Sequence, residues 1–302
     1  MNSPIQQSPI SPTPPSYPNQ GVVLDMPVQA TTDDQIIDMW LFGKSKSTQE
    51  AYSKDIFDFF GMIKKELKSV VLMDLQHYSV YLEQIGLSTR SQQRKLACIK
   101  SLLSFSTRLG YLHFDIGKVL KLPKSKDDLA NRILDESNII KIIYTETNPR
   151  NHLFLKTSYL LGARVSEIVN LTWDDLNPNG DNVVVTLFGK GSKTRNVLIS
   201  NELYQELQQV KQDNSKYVFT SRKGGSLTRE QAFRIVQKSA LKAGIDKNVS
   251  PHWFRHAHAS HALAKGAPMS LIQRDLGHSS LAVTGRYMHA KPTDGSGLWL
   301  RV

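Results

Sequence analysis

Cysteine is almost absent from this sequence: Cys98 stands alone among 302 residues. An intramolecular disulfide is therefore excluded, and so is a zinc site built on cysteine. Cys98 falls among Leu96, Ile99, Leu102 and Leu103 at helical spacing, which suits a small core residue. Long apolar runs are missing too. None approaches the roughly 20 residues that span a bilayer, and the N-terminus lacks the basic and apolar regions of a signal peptide. The expected setting is intracellular, in the cytoplasm, with no membrane partner. Internal repeats are absent as well.

What the chain has in excess is positive charge. Lys and Arg number 38 against 27 Asp and Glu, a formal net charge of +11. That balance favours a nucleic-acid partner without proving one. Its distribution is more telling. Residues 1–31 hold no Lys or Arg, residues 32–130 hold 15 basic and 12 acidic side chains, and residues 131–302 hold 23 and 14.

Composition divides the chain further. Residues 1–31 are rich in Pro, Ser and Gln without periodicity, so a flexible tail is expected. Residues 32–124 read as a helical domain. Ile36, Ile37, Trp40 and Leu41 form one apolar face; Tyr52, Ile56, Phe59, Phe60 and Ile63 form another. A long helix is predicted from Ser88 or Thr89 to Gly110. Its first turns carry Arg90, Arg94, Lys95 and Lys100, for which phosphate contact is weighed against an ordinary solvated face. Residues 125–131 read as a linker. A second domain follows over 132–290, mostly helical, with a hairpin of Val183–Phe188 and Arg195–Ile199 about a Gly189–Lys193 turn. Tyr217–Thr220 is a candidate third strand. Residues 291–302 form a short tail ending in Leu298, Trp299 and Leu300. The expected fold class is mainly α, with an α+β catalytic domain holding a small antiparallel sheet.

The second domain also contains an ordered set of chemically apt residues: Arg164 and Glu167 in ARVSE, Lys190 in GKGSK, His252 and Arg255 in HWFR, His278 in LGH, and Tyr287 nine residues later. No carboxylate pair suits a divalent metal. A phosphodiester under attack accumulates charge on its non-bridging oxygens, and two planar guanidiniums match that charge. A lysine can protonate a departing oxygen, histidines can hydrogen-bond or move protons, and a tyrosine can become the nucleophile. Each piece alone is weak. GKGSK lacks the earlier glycine of a P-loop, which argues against nucleotide binding. His252 and His256 have i, i+4 spacing, but other metal ligands are wanting.

In this order and spacing the residues resemble the catalytic domain of the tyrosine recombinase (phage integrase, Xer-like) family. The likeness is densest in HWFRHAHASHALAKGAPMSLIQRDLGHSSLAVTGRYMHA, and extends to LLGARVSEIVNLTWDDL and FGKGSKTRNVLI. Residues 32–124 are similar, by pattern, to the family's helical core-binding domain. The resemblance implies a clamp around double-stranded DNA carrying specific recombination sites, acting as a homotetramer or with a paralogous partner subunit. It needs no cofactor, metal or ATP. Arg164 and Arg255 would hold the scissile phosphate and Lys190 would protonate the 5′ leaving oxygen. His252 would assist proton transfer and His278 would hydrogen-bond the phosphate. Tyr287 would form a 3′-phosphotyrosyl link, with Glu167 in support. Lys193 and Arg195 on the hairpin join the four bases of the long helix as expected DNA contacts. His256, His258 and His261 are expected to serve packing, to face DNA or to support the site from behind. Two departures are small: no proline follows the hairpin, and Val283 replaces a common threonine. The C-terminal tail is similar in place to one that docks on a neighbouring subunit. A type IB topoisomerase and a DNA-binding protein without catalysis are the rival readings; a requirement for a partner site separates the first, and intact catalytic residues argue against the second.

Overall fold

The computed structural model describes residues 29–124, 129–189, 194–245, 248–278 and 280–290, with side chains described through Tyr287. Residues 1–126 and 127–302 form separate compact units. Lys190, Lys193, most of the N-terminal tail and the C-terminal tail lie outside the described residues.

The first unit is helical. It comprises α1 (Asp33–Leu41), α2 (Lys46–Ile63), α3 (Leu72–Gln84) and α4 (Thr89–Arg108). A Thr32–Gln35 capping box starts α1 by satisfying two backbone donors reciprocally. Ser88 caps α4, and Gly110 in the left-handed region follows its end. Leu96, Cys98, Ile99, Leu102 and Leu103 of α4 are fully buried against Ile36, Phe59, Leu75 and Tyr78. Ala30 joins the same core.

Behind that apolar seam runs a polar one. Asp55 of α2 is 1% exposed and accepts from Lys95 Nζ at 3.0 Å and from both terminal nitrogens of Arg94. Lys95 also reaches Asp58 at 2.7 Å. Charges this deep are tolerated because each has an opposite partner.

The second unit begins with α5 (Glu136–Thr145) and α6 (Pro149–Leu161), followed by the short α7 (Val165–Val169). A three-stranded antiparallel sheet comes next: β1 (Leu176–Asn179), β2 (Asn182–Phe188) and β3 (Thr194–Ser200), in that order. Val183, Val185 and Leu187 of β2 alternate inward with Val197 and Ile199 of β3. The third strand is therefore β1, and Tyr217–Thr220 makes only isolated bridges, Tyr217 to Thr172 and Thr220 to Ser226. The two-residue turn Gly180–Asp181, with Gly180 at φ +60°, pairs Asn179 with Asn182 and accounts for the difference.

The remaining helices are α8 (Asn201–Gln208), α9 (Arg229–Lys242), α10 (Pro251–Ala264), α11 (Met269–Leu276) and α12 (Leu281–Ala290). Thr228 and Gln231 form a capping box on α9, and Pro251 opens α10 at its first turn. Phe254 and Ala257 of α10 enter the main core with Phe154, Leu161 and Phe219. On another side, Ala259 packs with Leu129, Ile133, Ile272, Leu276 and Tyr287 in a smaller cluster. Leu129, within the stretch expected to be a linker, thus lies against the tyrosine. Among the described residues no helix is long and apolar enough to cross a membrane.

Candidate active site

Helix α6 ends at Gly162, whose φ of +55° turns the chain sharply into Ala163 and Arg164. A side chain is also excluded there by space. A Cβ on Gly162 would stand 2.5 Å from the His258 ring and 2.9 Å from Leu276. The glycine thus lets three elements converge. Its carbonyl accepts from Arg255 Nη1 at 2.8 Å, while Arg255 Nη2 donates to the Leu276 carbonyl at 2.6 Å. Arg255 is 3% exposed and has no carboxylate partner among these bonds. Burial and the nearby Arg164 charge push its pKa down to about 10, which still leaves it charged at neutral pH.

Arg164 sits at the N-terminal edge of α7. Its Nη1 donates to Glu167 at 3.0 Å, its Nη2 to the Gly277 carbonyl at 3.3 Å, and its backbone N–H to Glu167 at 2.7 Å. Glu167 is also gripped from the sheet. Arg195 of β3 donates to both carboxylate oxygens at 2.8 Å, and its Nε reaches the Asp275 carbonyl at 2.6 Å. Burial would raise the pKa of Glu167; the bonds from Arg195 and the Arg164 backbone outweigh it and hold the group below its usual range.

On α10 the residues His252, Arg255 and His256 are three and four apart and so share a face. The His252 and His256 rings are 5.3 Å apart. His256 Nδ1 lies 2.7 Å from the phenolic oxygen of Tyr287. From the loop after α11, the His278 ring stacks parallel to Tyr287 at 6.3 Å, and its Nδ1 bonds Thr284 at 2.9 Å. Burial, reinforced by neighbouring cations and by His252, lowers His256 and His278 to about 4, and lowers His252 as well. These imidazoles are neutral at pH 7. Burial raises Tyr287, against the pull of Arg255 and Arg286.

Arg164, Arg255, the three histidines and Tyr287 line one cavity of about 180 Å³. Among the described residues no carboxylate lines it, and Glu167, which bonds Arg164, is held by Arg195 as well. The result is a small, positively charged recess with neutral imidazoles and a phenol on its wall, suited to a tetrahedral anion. Beside it, an open groove of about 770 Å³ runs past His252 between the starts of α9 and α10, with Arg229 and Arg234 on its wall.

Residues 127–294, more than half of the chain, match the phage integrase family. The chain belongs to the phage integrase family. It is 31% identical over 260 residues to tyrosine recombinase XerC of Pelobacter propionicus, covering 81% of this chain and 85% of that one. Tyrosine recombinase XerD of Staphylococcus epidermidis is 29% identical over 265 residues, 82% of this chain and 89% of the relative. In fold, this integrase-family chain is similar to a lambda integrase dimer bound to a COC′ core site, with a TM-score of 0.72 at 14% identity, covering 88% and 98% of the two chains. A pre-cleavage complex of the XerH recombinase bound to difH substrate gives 0.67 at 20% identity, covering 90% and 84%. The function is site-specific recombination by cleavage and rejoining of DNA, and the chain is an enzyme.

For an integrase-family site, the expected residues fall unevenly. Arg164, Glu167, His252, Arg255, His278 and Tyr287 are brought together. Arg195 is near them: its side chain is 10% exposed and its guanidinium is committed to Glu167 and the Asp275 carbonyl, so it braces the site. Lys95, expected to contact DNA, is 9% exposed and neutralised by Asp55 and Asp58. Arg94 is bidentate on Asp55 with an outer half exposed, and Lys100 donates to the Leu120 carbonyl. The charge run on α4 therefore has a structural occupation. Arg90 is exposed. His258 and His261 bond the Tyr159 and Leu134 carbonyls, as packing residues do. His256 is the residue whose place in the site the sequence did not disclose.

Proposed function

We propose that the scissile phosphate of a recombination site occupies the recess between Arg164 and Arg255, and that Tyr287 attacks it. The observation that carries this reading is that Tyr287, Arg164 and Arg255 line the same 180 Å³ cavity, where both terminal nitrogens of Arg255 donate to carbonyls. An incoming phosphodiester supplies the missing anion. Charge on the non-bridging oxygens grows as the oxygen of Tyr287 bonds to phosphorus, and two preorganised guanidiniums stabilise that charge most at the transition state. The 5′ oxygen departs with a proton from Lys190, a role carried over from the family's hairpin motif. A 3′-phosphotyrosyl bond remains, and a 5′ hydroxyl from the partner strand reverses the step.

His278 is suited to donate to a phosphate oxygen, since Thr284 orients its ring; His252 sits at the mouth shared with the Arg229–Arg234 groove, along which the duplex continues. The helical unit over residues 32–124 serves as a second DNA-gripping domain, the two together clamping the duplex, with residues 125–131 as linker and 132–290 as the catalytic domain. Strand exchange between two sites requires four active sites, which a homotetramer, or a mixed tetramer with a paralogous subunit, provides. One structural neighbour is a lambda integrase tetramer bound to a Holliday junction. The product is integration, excision, inversion or dimer resolution, in the nucleoid. The test is a nicked substrate that traps the cleaved strand, without metal or ATP. A denaturation-resistant protein–DNA adduct should form, and should be lost in Tyr287→Phe with DNA binding intact. DNA binding without any adduct in the unmodified protein would overturn the reading.

A further inference from the structure

The hydrogen bond between His256 and Tyr287 has no counterpart among the roles that the family resemblance assigns. We infer that His256, rather than His252, accepts the phenolic proton of Tyr287 when the tyrosine attacks, and returns it when the strand is rejoined. The inference rests on Tyr287 being the nucleophile.

Geometry is the first support. His256 Nδ1 is 2.7 Å from the reacting oxygen, within the range a general base requires, and among the described residues it is that oxygen's hydrogen-bond partner. The alternatives are placed for other work. The His256 ring lies 5.3 Å from His252 and 5.8 Å from Tyr287 by centroid, and among the described residues no hydrogen bond joins His252 to the phenolic oxygen. His278 uses Nδ1 on Thr284 and presents its ring face, parallel at 6°, to the tyrosine.

Electrostatics are the second. The groups facing His256 are His252 and Arg255 on its own helix, Arg132 ahead of α5, and Arg286 beside the tyrosine on α12. All lower its proton affinity, together with burial, so the ring is neutral in the free protein and Nδ1 can accept. With Nδ1 as acceptor, the ring proton resides on Nε2. A bound phosphodiester brings a negative charge among the same arginines and offsets their field. The base is thus strengthened when substrate is present.

The step balances. The Oη–P bond forms as the P–O5′ bond breaks, the phenolic proton passes from Oη to Nδ1, and a separate acid supplies the 5′ oxygen. In rejoining, the 5′ hydroxyl loses its proton to that acid's conjugate base, and His256 reprotonates the departing Tyr287. No free phenolate is required, which matters because burial has raised the tyrosine's pKa.

The test is single-turnover cleavage of the nicked substrate between pH 5.5 and 9.5 by the unmodified protein, His256→Gln and His256→Ala, with Tyr287→Phe as control. Glutamine can still accept the phenolic hydrogen bond through Oε1 but cannot take up a proton. Both variants should slow cleavage by about 10²–10⁴-fold at pH 7, and both should acquire a rate that climbs with hydroxide concentration. A substrate with a 5′-bridging sulfur, whose leaving group needs no acid, should leave both variants slow. Full activity in His256→Gln with loss in His256→Ala would reduce the residue to positioning and overturn the proposal. So would unchanged or faster cleavage in both, since the bond would then be idle or a restraint. Absence of an adduct in the unmodified protein would instead defeat the assignment of Tyr287 itself, and thermal melts of the two variants separate slow chemistry from misfolding.

Discussion

Arg195 and Glu167 meet in a two-pronged ion pair, Nη1 to Oε1 and Nη2 to Oε2, each 2.8 Å long. The same carboxylate holds the backbone and side chain of Arg164. One buried acid therefore fixes the sheet and Arg164 in a single arrangement. Such a planar fork cannot be reproduced by lysine.

Arg195→Lys should separate bracing from DNA contact. Strand cleavage is expected to fall at least about tenfold, while DNA affinity changes less than about threefold and the salt dependence of binding keeps its slope. Binding titrations at several salt concentrations beside a cleavage time course check this. A salt slope reduced by about one, with cleavage per bound complex unchanged, would make Arg195 a phosphate contact after all.

Acid should weaken the catalytic unit in two stages. His256 and His278 have folded pKa values of about 4, below the ordinary 6.5. The unfolded chain binds more protons between those limits, so stability is lost as pH falls from about 6.5 toward 4. Glu167 is held below 4.5 in the folded state. Its contribution is present above 4.5 and disappears as pH drops through the folded value. Thermal midpoints measured from pH 8 to 3.5 should decline from about 6.5 downward; a flat midpoint to pH 4.5 would contradict the histidine environments.

Gly162→Ala should be damaging out of proportion to one methyl group. The added Cβ meets His258 and Leu276 at 2.5 and 2.9 Å on a backbone with φ +55°. A cost of about 2–4 kcal/mol is expected from the two effects together. Displacement of the carbonyl that receives Arg255 should also lower cleavage in whatever protein remains folded. Denaturant unfolding and cleavage of the same preparation measure both.

In the helical unit, Asp55→Asn leaves Arg94 and Lys95 without their shared buried partner. The loss should be about 3 kcal/mol or more, read as a lowered unfolding midpoint of that unit. Asp58→Asn, at a carboxylate 38% exposed, should have a much smaller effect.

Much of this was legible in the sequence because the relevant signals are local. The i, i+3 spacing of His252 and Arg255 places both on one face of α10, and the apolar period of α4 marks its buried side. Contacts between distant segments were not legible. His256 reaches Tyr287 only because α12 packs on α10, and nothing in either segment states that packing. Arg195 looks like any hairpin base until β3 is set against Glu167. Lys95 and Asp55 were both visible as charges, but their pairing depends on how α2 lies on α4. Strand β1 was missed for a different reason: Leu176-Asn177-Pro178-Asn179 has no β-branched residue, and its proline is tolerable because β1 is an edge. The Gly180–Asp181 turn was the available clue.

The most direct measurement is the chemical location of the covalent bond. Protein trapped on a nicked substrate is digested with nuclease and trypsin, and the nucleotide-bearing peptide is sequenced by mass spectrometry. Cleavage after Arg286 should release a peptide that begins at Tyr287 and carries the 3′-nucleotide on that first residue. A nucleotide on any other tyrosine, or on a serine, would contradict the assignment of Tyr287 and with it the reading of the cavity around it.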